Sequence, residues 1–126
     1  MRKHKMVRKI AIRSDGDLLI GVLMQTGVIS PEKQLLKEPG LNVFAPDIDT
    51  ILEIYTPGGS YPKFLFEKNN VVISYRVDDL QSVVNTLLLK GIAVPDGIQQ
   101  PELNYCYCYA VLMDGQVIGF HQKTVD

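Results

Sequence analysis

The chemistry available to this chain resides in a few side chains. Cys108 and His121 lie on either side of Asp114-Gly115, a strong hairpin signal. A two-residue turn there pairs Met113 with Gln116, and so places Cys108 opposite His121. An imidazolium beside a thiol lowers its pKa and makes a nucleophile. The plainer reading is a cysteine buried as a small hydrophobe and a histidine that is only hydrogen-bonded. Glu53 is a candidate general base if burial raises its pKa. A cation from Lys9, Arg13 or Arg76 would instead hold it ionised and disarm it. Arg13 and Arg76 carry the guanidinium fork that grips a carboxylate or phosphate, and both also read as rim residues or dimer contacts.

Other arrangements point away from chemistry. Cys106-Tyr107-Cys108 is too tightly spaced for an unstrained disulfide, and two cysteines do not make a structural zinc site. Tyr105, Tyr107 and Tyr109 alternate with those cysteines, as a packing or oligomer surface in one reading and a stacking platform in another. Gly58-Gly59 after Pro57 is a turn rather than a phosphate cradle, and no serine sits in a nucleophile elbow.

The elements that must position these groups are clearest in the second half. Residues 70–77 read as a strand ending at Asp78-Asp79, a good helix cap. Leu80, Val83, Val84, Leu87 and Leu88 recur at helical spacing, and Gly91 stands where the helix should stop. A short strand is expected near residues 92–94, followed by a loop carrying Pro95, Gly97 and Pro101. Two more strands, near 105–113 and 116–122, flank the hairpin turn. The first half repeats this β-α-β-β-β order more faintly. A strand is expected at 8–13, a helix at 15–25, and strands near 34–37, 41–44 and 50–56. The chain therefore reads as one domain with an internal duplication of about 60 residues: module one about 7–56, a linker over 57–69, and module two about 70–122.

Composition bounds the function. The 126 residues are 46% hydrophobic and 21% charged, enough apolar side chain for a packed core. Thirteen basic and fourteen acidic residues give a net charge of −1, which argues against a nucleic-acid partner. No apolar run approaches the ~18–20 residues that cross a bilayer, and no cleavage site follows the basic start, so neither a membrane span nor a leader is expected. A cytoplasmic location follows from that and from the cysteine usage. Five of the first nine residues are Lys or Arg, read as a solvated, partly frayed start or as a basic arm for an anionic partner.

The segment Ile73-Ser74-Tyr75-Arg76-Val77-Asp78-Asp79-Leu80, with Lys90-Gly91-Ile92 after the helix, resembles the second half of glyoxalase/bleomycin-resistance proteins. The run from Tyr109 through Asp114-Gly115 to Gln122 resembles their closing hairpin. The likeness covers residues 70–122 and extends to 7–56 through Ile10-Ala11-Ile12-Arg13 and Leu52-Glu53-Ile54-Tyr55. It implies the vicinal oxygen chelate superfamily: an α+β fold in which two βαβββ modules form a curved mixed sheet around a concave cavity, commonly as a homodimer. Enzymes of that superfamily hold a divalent metal at four strand positions, which fall here on Lys9, Glu53, Val72 and Gly119. Only Glu53 is a ligand in the usual sense, and a hard cation needs at least three. The resemblance therefore implies no metal and no cofactor. It favours a metal-independent small-molecule binding protein of the bleomycin-resistance type, over a lyase, isomerase or dioxygenase-like enzyme using Glu53 and His121. Strand alternation from those four positions puts Arg13, Glu53, Tyr55, Ser74, Arg76, Cys108 and His121 on the ligand face. Tyr109, Val111, Ile118 and Phe120 then fall on the face that the helices cover.

Overall fold

A computed structural model describes residues 4–123 and divides the chain into two compact units, the first running to Val71 and the second beginning at Val72. Each holds four strands and one α-helix in the order βαβββ, with a short 3-10 turn added in the first.

In the first unit β1 (Arg8–Arg13) is followed by α1 (Leu18–Gln25), β2 (Gln34–Glu38), β3 (Leu41–Asp47) and β4 (Thr50–Tyr55). The strands lie side by side as β2-β3-β4-β1, and β1 runs parallel to β4 with Ala11 beside Glu53 and Arg13 beside Tyr55. Alternation sends Ile10, Ile12, Leu52 and Ile54 to one face. There they pack with Ile29, Phe44 and the α1 side chains Leu19, Ile20, Leu23 and Met24. Lys9, Ala11, Arg13, Glu53 and Tyr55 occupy the other. Helix α1 starts three residues later than the expected position 15. The Ser14 hydroxyl donates to the Gly16 carbonyl and Arg13 reaches Asp15, so short-range polar bonds hold this stretch in a bend. Asp17 occupies the cap position without making a side-chain cap bond.

From His4 onward the basic start is tied down rather than frayed. The Lys5 N–H donates to the Ile48 carbonyl at 2.8 Å. His4 Nε2 donates to the carbonyls of Asp47 and Thr50, and its Nδ1 accepts from the Met6 N–H. Arg2 and Lys3 of that start lie outside the described residues. Residues 57–69 pack onto the first unit: Leu65 and Phe66 are buried, and the rings of Tyr55, Tyr61 and Phe66 meet at 4.9–5.6 Å.

The second unit has β5 (Val71–Arg76), α2 (Leu80–Leu89), β6 (Gln99–Glu102), β7 (Tyr105–Val111) and β8 (Val117–Lys123), with strand order β5-β8-β7-β6. Here the helix start is capped as its sequence suggests, the Asp79 carboxylate accepting from the Ser82 N–H at 3.1 Å. Gly91, at φ +74°, ends the helix in a left-handed conformation that costs glycine little. Leu80 and Val84 of α2 bury against Cys108, flanked by Cys106 and Phe120.

Two expectations fail in this unit. The second strand lies at Gln99–Glu102, not at 92–94, where only Ala93 bridges to Val111. Pro101 is accepted because β6 is the outermost strand, and its register against β7 shifts between Gln99 and Glu102, next to the missing N–H. The closing hairpin is also longer than a two-residue turn. The Gly115 N–H donates to the Leu112 carbonyl, and the Leu112 N–H to the Gln116 carbonyl, with Gly115 at φ +90°. That is a three-residue loop, Met113-Asp114-Gly115, ending in a glycine bulge. The extra residue slips β7 by one against β8. Tyr107 therefore pairs with His121 and Cys108 with Phe120.

Candidate functional site

Because side chains alternate with period two, a one-residue slip exchanges the two faces of β7. Cys106, Cys108 and Ala110 turn towards α2, and Tyr105, Tyr107 and Tyr109 turn away from it. Val72, Ser74, Arg76, Gly119 and His121 keep the expected side, since β5 runs parallel to β8 with Ser74 beside Gly119 and Arg76 beside His121.

Cys108 and His121 are therefore on opposite faces of one sheet, and the thiol–imidazole pair expected from the sequence does not form. Cys108 is 1% exposed under the helix. Burial pushes its thiol up to about 11, with a further push from Cys106, whose own thiol is raised by burial. A group held that far from its thiolate is a packing residue, not a nucleophile. Tyr109, placed by the sequence reading on the covered side, lies instead on the helix-free face.

His121 is fully buried, and its Nδ1 lies 2.9 Å from the Ser74 hydroxyl. The direction of that hydrogen bond follows the imidazole tautomer. Gly119, one residue pair along the strand, is required by space: a Cβ there would stand 2.7 Å from the Ser74 Cβ and 3.1 Å from the Tyr109 ring. The Tyr109 ring thus lies over the glycine. The ring centres of Tyr107 and Tyr109 are 5.7 Å apart and those of Tyr105 and Tyr107 5.9 Å apart. Arg76 donates through Nη2 to the Lys123 carbonyl at 3.1 Å, which anchors the guanidinium at the end of β8. Ser74, Arg76 and His121 thus share one surface with the three tyrosines. The tyrosines were not among the residues placed on the ligand face, and the sequence signal that could have found them is the bulge-forming Gly115.

On the helix-free face of the first unit, Lys9 Nζ and Glu53 Oε2 form an ion pair at 3.2 Å, each side chain 16% exposed. Of the cations that could neutralise Glu53, Lys9 makes the bond. Arg13 pairs with the exposed Asp15, a contact that water screens and that contributes little. Tyr55 joins the aromatic cluster with Tyr61 and Phe66.

The donor set of neither unit suits a divalent cation. In the first, an ammonium occupies the carboxylate that would bind it; in the second, Val72 and Gly119 carry no donor atom. Among the described residues no group of three or more His, Cys, Asp or Glu side chains is placed to hold a metal ion. Nor is any helix among them long and apolar enough to cross a membrane.

No protein-family model matches the chain, and no curated protein matches its sequence. Solved structures do. Methylmalonyl-CoA epimerase from Mycobacterium tuberculosis superposes with a TM-score of 0.65 at 16% identity, over 99% of this chain and 94% of its own. A variant of the Streptomyces coelicolor epimerase, solved in complex with 2-nitronate-propionyl-CoA, gives 0.64 at 14% identity over 98% and 100%. A glyoxalase/bleomycin resistance protein/dioxygenase superfamily member from Vibrio splendidus 12B01 gives 0.61 at 11% identity over 92% and 97%. At such identities the likeness concerns architecture and leaves activity open. The two βαβββ units of this chain have the fold of the glyoxalase/bleomycin resistance/dioxygenase, or vicinal oxygen chelate, superfamily.

Proposed function

We propose that this protein binds a small molecule without the help of a resident metal ion, in the manner of the bleomycin-resistance type. The observation that carries this reading is the Lys9–Glu53 ion pair. Where the superfamily's enzymes place a metal ligand, this chain has a partly buried carboxylate paired with its own ammonium. A cation admitted there would have to displace Lys9 from Glu53 and face its positive charge. The S. coelicolor fold neighbour was solved with a coenzyme A ester, a small-molecule ligand, and the helix-free sheet faces here carry groups suited to one: Arg13 and Tyr55 in the first unit, Ser74 and Arg76 in the second.

A lyase or isomerase using Glu53 and His121 is the second reading, favoured by the Ser74–His121 contact, which fixes the ring's orientation. Against it, Glu53 is engaged by Lys9 and His121 is sealed from solvent. As part of the proposal the protein works in the cytoplasm, where its unpaired thiols persist, and as a homodimer. Leu18, Val22 and Val28 are exposed apolar side chains that a second copy would cover.

Elemental analysis of the purified chain combined with a thermal-shift screen tests this. Ligands that raise the melting temperature of protein holding less than about a tenth of an equivalent of divalent metal are the expected result. Stoichiometric nickel, zinc, iron or manganese that survives dialysis would overturn the metal-free reading. Sedimentation analysis at micromolar concentration reads the dimer.

A further inference from the structure

We infer that a groove along one flank of α2, on the helix-covered side of the second unit, binds a medium-chain carboxylic acid. This goes beyond the function proposed above, which concerns the helix-free faces, and the two stand or fall separately.

The groove follows from how α2 packs. The helix carries apolar residues at Leu80, Val83, Val84, Leu87 and Leu88. Leu80 and Val84 bury against Cys108 of β7, with Phe120 of β8 packed beside them. Val83 and Leu87, one turn apart, are only half-buried and take no part in that cluster. Together with Ser82, Thr86, Lys90 and the half-buried Phe120 they line a cavity of about 290 Å3. On β5 the residue paired with Phe120 is Tyr75, which is itself exposed.

Size limits the occupant. A cavity at the lower end of the about 300–1,000 Å3 usual for ligand sites admits a small molecule, not a coenzyme A ester. From Ser82 to Lys90 the helical stripe is about 12 Å long, which an extended chain of about eight carbons fills.

Chemistry limits it further. Val83 and Leu87 supply an apolar wall and Phe120 an apolar floor. The Thr86 hydroxyl is engaged by its own helix, donating to the Ser82 carbonyl at 3.1 Å. Lys90 is the one charged residue of the six. Helix α2 itself carries no charge, and β8 contains no Asp or Glu. Among the described residues no carboxylate pairs with Lys90. An ammonium at one end of an apolar trough complements an apolar tail that ends in one anionic head. The tail gains from leaving water, and the head gains a charge partner.

Amide NMR titration of the full chain with octanoate, hexanoate and uncharged 1-octanol tests this. Octanoate should shift the amides of Val83, Thr86, Leu87 and Phe120. Hexanoate should bind about 15-fold more weakly, at about fourfold for each of the two buried methylenes it lacks. Lys90→Gln should weaken octanoate about threefold to fivefold, the size of an exposed ion pair, and leave 1-octanol unchanged. Leu87→Ala should weaken both about fivefold or more. Thr86→Phe, at an exposed position, should fill the groove and abolish both. Leu88→Ser, exposed on α2 outside the groove, should change neither. Retained melting temperatures show that the variants fold. Indifference to Lys90→Gln overturns the acidic head, and indifference to Thr86→Phe overturns the groove. No shift at millimolar octanoate, or shifts confined to a helix-free face, also overturns the groove; the latter would support the function proposed above. Groove amides that shift on raising protein concentration alone would show a second copy there and overturn the acid.

Discussion

The two units share one topology and differ in what they carry on it. Each begins with a strand parallel to its last, and each lays one helix over one face. In the first unit the helix-free face has an ion pair at its centre, Lys9 with Glu53. In the second, the corresponding places are Val72 and Gly119, and the polar interest has moved two residues along to Ser74 and His121 and across to the tyrosines. The helices differ as well. Helix α1 is almost wholly apolar, buries no residue completely and lacks a side-chain cap, whereas α2 is capped by Asp79 and buries Leu80 and Val84. A duplicated frame keeps the hydrogen-bonded ladder and the apolar face because packing demands them. The opposite face is free to change, and there a single residue decides whether a position is a ligand, a salt bridge or a floor.

The most severe challenge to this contrast is aimed at the register of the second unit. Cys108 lies under the helix with its thiol pushed to about 11, so at pH 8 it should alkylate on the order of 100-fold more slowly than a model thiol. Mass-spectrometric labelling kinetics on native protein read this directly, and labelling of Cys108 at the model rate would put β7 back in the other register. The same burial has a pH signature. The folded thiol titrates above the unfolded one, so its contribution to stability is complete below about pH 9 and is lost as the pH rises towards 11. Denaturation midpoints of Cys108→Ala should fall less steeply across that window than those of the parent chain.

A change in the first unit should have a smaller effect. Lys9→Met leaves the partly buried Glu53 carboxylate without that cation and should cost about 1–2 kcal/mol in urea denaturation. Adding Glu53→Gln should recover part of that loss. A Lys9→Met protein as stable as the parent would mean the pair is solvated and the first unit's corner is not the closed one described here.

The smallest effect separates the two helices. Asp79→Ala removes a cap bond and should cost about 1 kcal/mol, while Asp17→Ala, which removes none, should stay within about 0.5 kcal/mol. Equal losses would erase the difference between the helix starts.

Much of this molecule was legible in its sequence. Apolar alternation in Arg8–Arg13 and Thr50–Tyr55 marked which side chains α1 would cover, and Ile10, Ile12, Leu52 and Ile54 are covered. Asp79 ahead of Leu80 and Gly91 after Leu89 marked both ends of α2, since capping is a local matter of φ/ψ and one hydrogen bond. The second strand of the second unit was not legible: the residues near Ile92 look more like a strand than Gln99-Gln100-Pro101-Glu102 does, yet pairing with β7 recruits the latter.

What the chain determined alone was therefore its repeat, its apolar faces and its helix ends, all properties of neighbours in sequence. Which of several cations would take Glu53, and whether cysteines or tyrosines would share a surface with His121, were decided in three dimensions. The first depends on which strand lies beside which. The second depends on one additional residue in a turn, because with a side-chain period of two an odd insertion reverses every position that follows it.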